Sequence, residues 1–207
     1  MLEYKTVSKE AYSEFTEKRS RFIGYAKPVK TEDEAMAFIN NIKSKHWDAT
    51  HNVYAYTLRK GQIKRYSDDG EPQGTAGIPT LDVLLKSGVT DTVIVVTRYF
   101  GGILLGAGGL VRAYSHGASA ALDAAKIITM QTCFVAEVCC GYSQYGKLNT
   151  MIINNGGTID NTEFTDVVKI SFHLTDKNIH KLEQQLADLT RGERKISITD
   201  EKFFEVT

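Results

Sequence analysis

The residues whose types and spacing could do chemistry lie between His51 and His116. The segment Val93 to Arg112 reads as strand, glycine loop and helix. Gly101, Gly102, Gly106, Gly108 and Gly109 leave backbone N–H groups approachable, a helix N-terminus carries partial positive charge, and Arg98 and Arg112 could flank the same spot. That combination suits a phosphate or another anion. Gly101 to Gly106 has the P-loop glycine spacing, but Ala107 and Gly108 stand where its Lys-Ser/Thr pair belongs, and the dinucleotide fingerprint would need glycine at Val111. Tight turns and close helix packing explain the same glycines without a ligand.

A second group is the acidic loop Asp68, Asp69 and Glu71, followed by Pro72 and Gln73. Three nearby carboxylates can hold magnesium or calcium. The EF-hand spacing is absent, so the loop reads as a solvated acidic turn, or as carboxylates ordered by Arg65, Arg98 or Arg112, and neither metal nor cofactor is expected. His51 precedes it; with no nucleophile elbow around Ser67 or Ser115 and no zinc motif, it reads as a hydrogen-bonded structural histidine. The aromatics Tyr54, Tyr56, Tyr66, Tyr99, Phe100 and Tyr114 sit among Arg59, Lys64, Arg65, Arg98 and Arg112. Rings beside cations are how single-stranded RNA is gripped, and equally how a sheet face is filled.

The elements that must position these residues follow from periodicity. Leu2 to Thr6 and Arg21 to Val29 read as strands. Thr31 to Glu34 reads as a capping box opening a helix whose apolar face is Ala35, Phe38, Ile39 and Ile42. Val53 to Arg59 and Ile63 to Tyr66 form a hairpin around Lys60-Gly61. Ser67 to Gly77 is a loop; Ile78, Leu81, Leu84 and Leu85 line one helix face; Thr92 to Thr97 is a buried central strand; Leu110 to Ala125 is an alanine-rich helix.

Near Thr129 to Thr132 the pattern restarts, dividing residues 1–131 from 132–207. A strand through Phe134, Ala136 and Val138 is followed by a helix over Tyr145 to Ile152. Strands at Thr158 to Glu163 and Val168 to Leu174, a helix carrying Ile179, Leu182, Leu186 and Leu189, and a strand at Lys195 to Val206 complete the set. The order β-α-β-β-α-β is that of the ferredoxin-like split unit, and the fold class is α+β.

The 207 residues carry 25 basic and 25 acidic side chains, so no global field draws the chain to nucleic acid, though a local basic face remains open. The charged start predicts no signal peptide, and no apolar run approaches a membrane span. Cys133, Cys139 and Cys140 have no disulfide or zinc spacing and read as buried free thiols of a cytoplasmic protein.

Three motifs then stand in order: DATHNVYAY from Asp48, SDDGEPQGTAGIP from Ser67, and VVTRYFGGILLGAGGLVRAY from Val95. They resemble the Impact/YigZ family over the first ~130 residues, a domain-sized block. The second half looks like the ferredoxin-like domain appended in its bacterial members. The resemblance implies an amino-terminal domain of the fold shared by a small-subunit ribosomal protein and domain four of elongation factor G, with a carboxy-terminal domain similar to domain five. Eukaryotic relatives are translation regulators that interfere with activation of a stress-response kinase by its ribosome-bound activator; the extra amino-terminal module from which they are usually built is not seen here.

The motif positions carried over are His51, Asp68, Asp69, Glu71, Gln73, Arg98, Tyr99, Gly101, Gly102, Gly108 and Arg112. The expectation is a translation-linked regulatory protein that binds RNA or the ribosome through the glycine/arginine segment, rather than an enzyme. The competing readings are an enzyme acting on a nucleotide or phosphorylated small molecule, and a protein-interaction module working through the carboxy-terminal domain.

Overall fold

The computed structural model describes residues 3–206 and divides into two compact units, Tyr4–Thr129 and Met130–Val206, the latter taking in Glu3. Its strands are β1 (Glu3–Val7), β2 (Ala11–Glu17), β3 (Ser20–Pro28), β4 (His51–Leu58), β5 (Ile63–Ser67), β6 (Thr92–Tyr99), β7 (Ile127–Cys140), β8 (Thr158–Phe164), β9 (Val168–Thr175) and β10 (Ser197–Val206). The helices are α1 (Glu32–Lys45), α2 (Gly77–Lys86), α3 (Ala107–Ala125), α4 (Tyr142–Asn154) and α5 (Asp176–Thr190).

In the first unit the strand order is β2-β3-β6-β4-β5, every pair antiparallel. β6 lies in the middle and is buried from Thr92 to Arg98, which is why its Val-Ile-Val-Val run lacks polar alternation. Both faces of the sheet are covered. One packs Ile23, Tyr25, Val93 and Val95 under Phe38, Ile39 and Ile42 of α1. The other packs Phe22, Val53, Ile94 and Val96 against Leu84 of α2 and Tyr114, Ala118 and Leu122 of α3. Each fully buried aliphatic or aromatic side chain contributes about 1.5–3 kcal/mol.

Helix α3 approaches the sheet so closely because two glycines face each other. A Cβ added at Gly24 of β3 would collide with the Gly117 carbonyl oxygen, so Gly24 tolerates no side chain without moving the helix, while one at Gly117 would press on the Val96 and Phe15 side chains.

Local chemistry differs from the sequence expectation at three places. The second half of the capping box is displaced. Glu34 N donates to Thr31 Oγ1 at 3.2 Å, but the Glu34 carboxylate accepts from Lys30 N at 2.6 Å rather than from the cap residue. On α2, Ile78 and Leu85 are exposed; Pro79, Thr80 and Leu84 form the buried side, so the inward stripe is rotated from the one the leucines suggest. Strand β2 is absent from the sequence reading. It is an edge strand joined to β3 by Lys18-Arg19, both with positive φ (45° and 66°), a two-residue turn built without the usual Asn-Gly signal.

The second unit has the order β10-β7-β9-β8, with helices α4 and α5 supplying the core residues Leu148, Ile152, Ile179, Leu182 and Leu186. With its β-α-β-β-α-β chain order, this is the ferredoxin-like arrangement. Val168, Ile170, Phe172 and Leu174 of β9 all face that core. Cys133 and Cys140 are buried free thiols, their pKa raised by burial, whereas Cys139 is exposed, contrary to the expectation for all three. No helix among the described residues is long and apolar enough to cross a membrane.

Candidate functional site

Arg98 and His51 are direct cross-strand partners at the end of β6 and β4. The sheet ends there, and three other segments fold over it: the loop after β5, Ser20 at the start of β3, and Tyr114 of α3. Arg98 Nη1 donates to Glu71 Oε1 at 2.6 Å, and the Tyr114 hydroxyl donates to the same oxygen at 2.7 Å. Arg98 Nη2 reaches Ser20 Oγ at 3.4 Å. The side chains of Arg98 and Glu71 are 6% and 3% exposed. Burial, reinforced by the Glu71 carboxylate, pushes the Tyr114 phenol far above its ordinary range, so it stays a donor.

His51 completes the cluster. Its Nδ1 lies 2.8 Å from the Asp69 carbonyl oxygen, which can only accept, so Nδ1 carries the proton. Nε2 lies 3.7 Å from Glu71 Oε2.

The acidic loop is a scaffold. Asp68 accepts from three backbone amides, Gly74 N at 2.9 Å, Ala76 N at 3.1 Å and Gly77 N at 2.8 Å, so it closes the loop and holds the first turn of α2. Asp69, at φ 48°, pairs with Lys43 Nζ at 2.6 Å and accepts from Asn52 N at 2.6 Å. Gln73 is exposed at the loop tip. The three carboxylates thus point to three different sets of donors, and no group of metal-ligating side chains forms among the described residues.

The expected anion site separates into parts. Arg98 is buried against Glu71 and is not open to a solvent anion. Tyr99, the next residue on the strand, points to the opposite face. Its hydroxyl donates to Asp48 Oδ1 at 3.0 Å and lies 2.9 Å from His46 Nδ1, while His46 Nε2 lies 2.7 Å from the Tyr25 hydroxyl. Because the Tyr99 proton goes to Asp48, His46 donates from Nδ1 and accepts from Tyr25 at Nε2, a relay with one consistent direction. Burial, with Lys45 and Arg21 nearby, lowers the His46 pKa.

Gly101 is a packing glycine. Its N–H donates to Ser20 Oγ at 3.2 Å, and a side chain there would collide with the Arg19 backbone. Gly102 and Gly106 have positive φ with open space around them, and Gly108 and Gly109 lie in the first turn of α3. The aromatics divide among locations: Tyr54 and Tyr56 lie on the α1 side, Tyr56 with its pKa pushed up to about 12 by burial and the Glu32 hydrogen bond, Tyr114 is buried, and Tyr66 and Phe100 are exposed.

Arg112 lies elsewhere, exposed on α3, where it lines a groove of about 470 Å³ with Phe15, Lys18, Leu105, Gly109 and His116. Unlike Lys43 and Arg98, neither Lys18 nor Arg112 has a carboxylate partner among the described residues. His116 stands nearly perpendicular to Phe15, 78° between rings with centroids 4.6 Å apart, and Phe15 stacks on Phe22. The sequence reading missed Phe15 and Lys18 because it missed β2, and it gave His116, on α3, no role beyond bounding the segment. His46, Ser20 and Lys43 carried no sequence signal, since their partners lie far along the chain.

The fold and these clusters define a two-domain α+β protein with a buried arginine–glutamate–tyrosine cluster beneath a glycine loop and a ferredoxin-like second domain. The Impact N-terminal domain matches residues 18–122, and a domain of unknown function, DUF1949, matches residues 138–193. The chain belongs to the Impact family. It is 37% identical to the IMPACT family member YvyE of Bacillus subtilis over 194 residues, 93% of this chain and 89% of that one. It is 34% identical to YigZ of Escherichia coli over 89% of this chain and 92% of the relative. The Protein IMPACT homolog of Dictyostelium discoideum is 42% identical over 106 residues, 49% of this chain but 29% of that longer protein. A crystal structure titled as that of a hypothetical protein superposes with a TM-score of 0.61 at 31% identity, covering 98% of this chain and all of the other.

Proposed function

We propose that the protein is a cytoplasmic, translation-linked regulator that binds RNA or the ribosome through its first domain. The observation that carries this reading is the pair of exposed cations, Lys18 and Arg112, framing a groove with no carboxylate paired to them among the described residues. Exposed, unpaired cations release counterions when they meet phosphate, whereas a cation already neutralised inside the fold does not. Of the two arginines expected to meet phosphate, the reading therefore keeps Arg112, joins Lys18 to it, and drops Arg98. Arg98 and Glu71 act beneath it, holding the end of the sheet against α3 through Tyr114. Family membership supports the regulatory part of the reading. The second domain, with more acidic than basic residues, is left for a protein partner.

The test is binding of purified protein to ribosomes and to short single-stranded RNA at low and physiological salt. Saturable binding with a salt slope reduced by about 0.7 in Arg112→Ala is the expected result. Absence of binding to either, or an unchanged slope in the variant, would set the reading aside.

A further inference from the structure

The groove between the β2–β3 turn and α3 has walls of different chemistry, and they point to one kind of occupant. Phe15, Leu105 and Ala113 make an apolar floor, Lys18 and Arg112 supply cations, and His116 adds an exposed imidazole. Its volume, about 470 Å³, falls in the range of about 300–1,000 Å³ that suits a small molecule or one unit of a polymer. An apolar floor is of no use to a phosphate backbone alone; it favours a flat ring that has left water.

We propose that this groove seats a single unpaired nucleotide of an RNA strand, its base on the exposed His116 ring with Phe15, already stacked on Phe22, as a side wall, and its phosphate between Lys18 and Arg112. The proposal rests on the RNA-binding reading above and adds the substrate class: single-stranded, not duplex. A base can enter such a pocket only when it is unstacked and unpaired, because an A-form helix buries its base faces. Stacking on a side chain is worth about 1–3 kcal/mol per base and tolerates any base, so the groove selects strandedness before sequence. Glu17, the one carboxylate on the lining, is placed to accept from an exocyclic amino group or a ribose hydroxyl rather than to meet phosphate.

The fold keeps this groove in place by two devices that need no ligand. The Gly24–Gly117 approach fixes α3 against β3, and Gly101 lets the glycine loop pass directly against Arg19 in the turn that carries Lys18. The turn and the helix are thus held as opposing walls.

The experiment compares full-length protein binding to a fluorescent single-stranded RNA octamer, the same sequence as a blunt duplex, and a single-stranded RNA in competition with a mononucleotide. The expected result is at least tenfold tighter binding of the single strand than of the duplex. Arg112→Ala and His116→Ala should each weaken the single strand at least fivefold, with partial recovery in Arg112→Lys, and the mononucleotide should compete. Arg65→Ala, an exposed cation away from the groove, should change nothing, and unaltered unfolding temperatures would show that the variants fold. Equal binding of duplex and single strand, or wild-type affinity in both groove variants, would overturn the groove assignment while leaving RNA binding intact. Failure of the native protein to bind either RNA or ribosomes would overturn both.

Discussion

Arg98 and Tyr114 donate to the same oxygen, Oε1 of Glu71, from a central strand and from the helix packed over it, at 2.6 and 2.7 Å. One carboxylate therefore joins sheet, loop and helix, with all three side chains buried. A buried charge left unpaired costs far more than the pair itself gains.

Glu71→Gln should destabilise the protein by about 3–5 kcal/mol, because it leaves the Arg98 guanidinium buried without its counter-charge. Tyr114→Phe removes one hydrogen bond to a charged group and should cost about 1.5–3 kcal/mol. Because both bonds end on one oxygen, the double variant should cost less than the two added together. Urea unfolding of the four proteins measures that coupling, and strict additivity would mean that the shared oxygen does not link strand to helix.

His46 gives a pH dependence with a definite sign. Its pKa is lowered in the folded state, chiefly by burial, so the unfolded chain takes up the proton first. Its contribution to stability is present above the unfolded value of about 6.5 and is lost as pH falls through the lower folded value. His46→Gln should lower stability at pH 7.5 through loss of the bonds to Tyr25 and Tyr99, yet flatten the decline in unfolding temperature as pH falls below the unfolded value of about 6.5. A decline as steep as that of the native protein would assign it to other groups.

Asp68 has a local role that its neighbours do not share. Its carboxylate receives the amides of Gly74, Ala76 and Gly77, doing for α2 what a capping side chain does from farther away. Asp68→Ala should cost about 1–2 kcal/mol and speed amide exchange at Ala76 and Gly77. Asp69→Ala should instead release Lys43 and the start of β4, leaving exchange at those two amides near its native rate.

These differences explain what could be read from the sequence. Elements with a strong period were legible: the α1 face at Ala35, Phe38, Ile39 and Ile42, the β9 alternation, and the α5 stripe at Ile179, Leu182 and Leu186 are buried as their spacing requires. On α5 the stripe shifts at its end, where Thr190 is buried and Leu189 only partly so. Strand β2 was not legible, since an edge strand need not be apolar and its turn uses Lys18-Arg19. The site residues were found by type but not by grouping. Arg98 and Arg112 look equivalent in the sequence, yet one faces Glu71 in the core and the other faces solvent. Arg98 and Tyr99 are adjacent, and strand pleating alone sends them to opposite faces.

The Lys18-Arg19 turn tests whether stability and binding compete at the groove. Both residues hold left-handed backbone, a conformation that disfavours side chains by roughly 1–2 kcal/mol per residue. A two-residue hairpin turn with both φ positive is best filled by Asn-Gly. Replacing Lys18 by Asn and Arg19 by Gly should therefore stabilise the protein by about 1–3 kcal/mol. The same change removes a groove cation, so single-stranded RNA binding should weaken severalfold and its salt slope should shrink. The backbone at the turn then pays in stability for placing Lys18 opposite Arg112. A more stable variant that binds RNA as tightly as the native protein would show that Lys18 contributes nothing to the groove. A variant no more stable than the native protein would show that the turn is relaxed by its contact with Gly101.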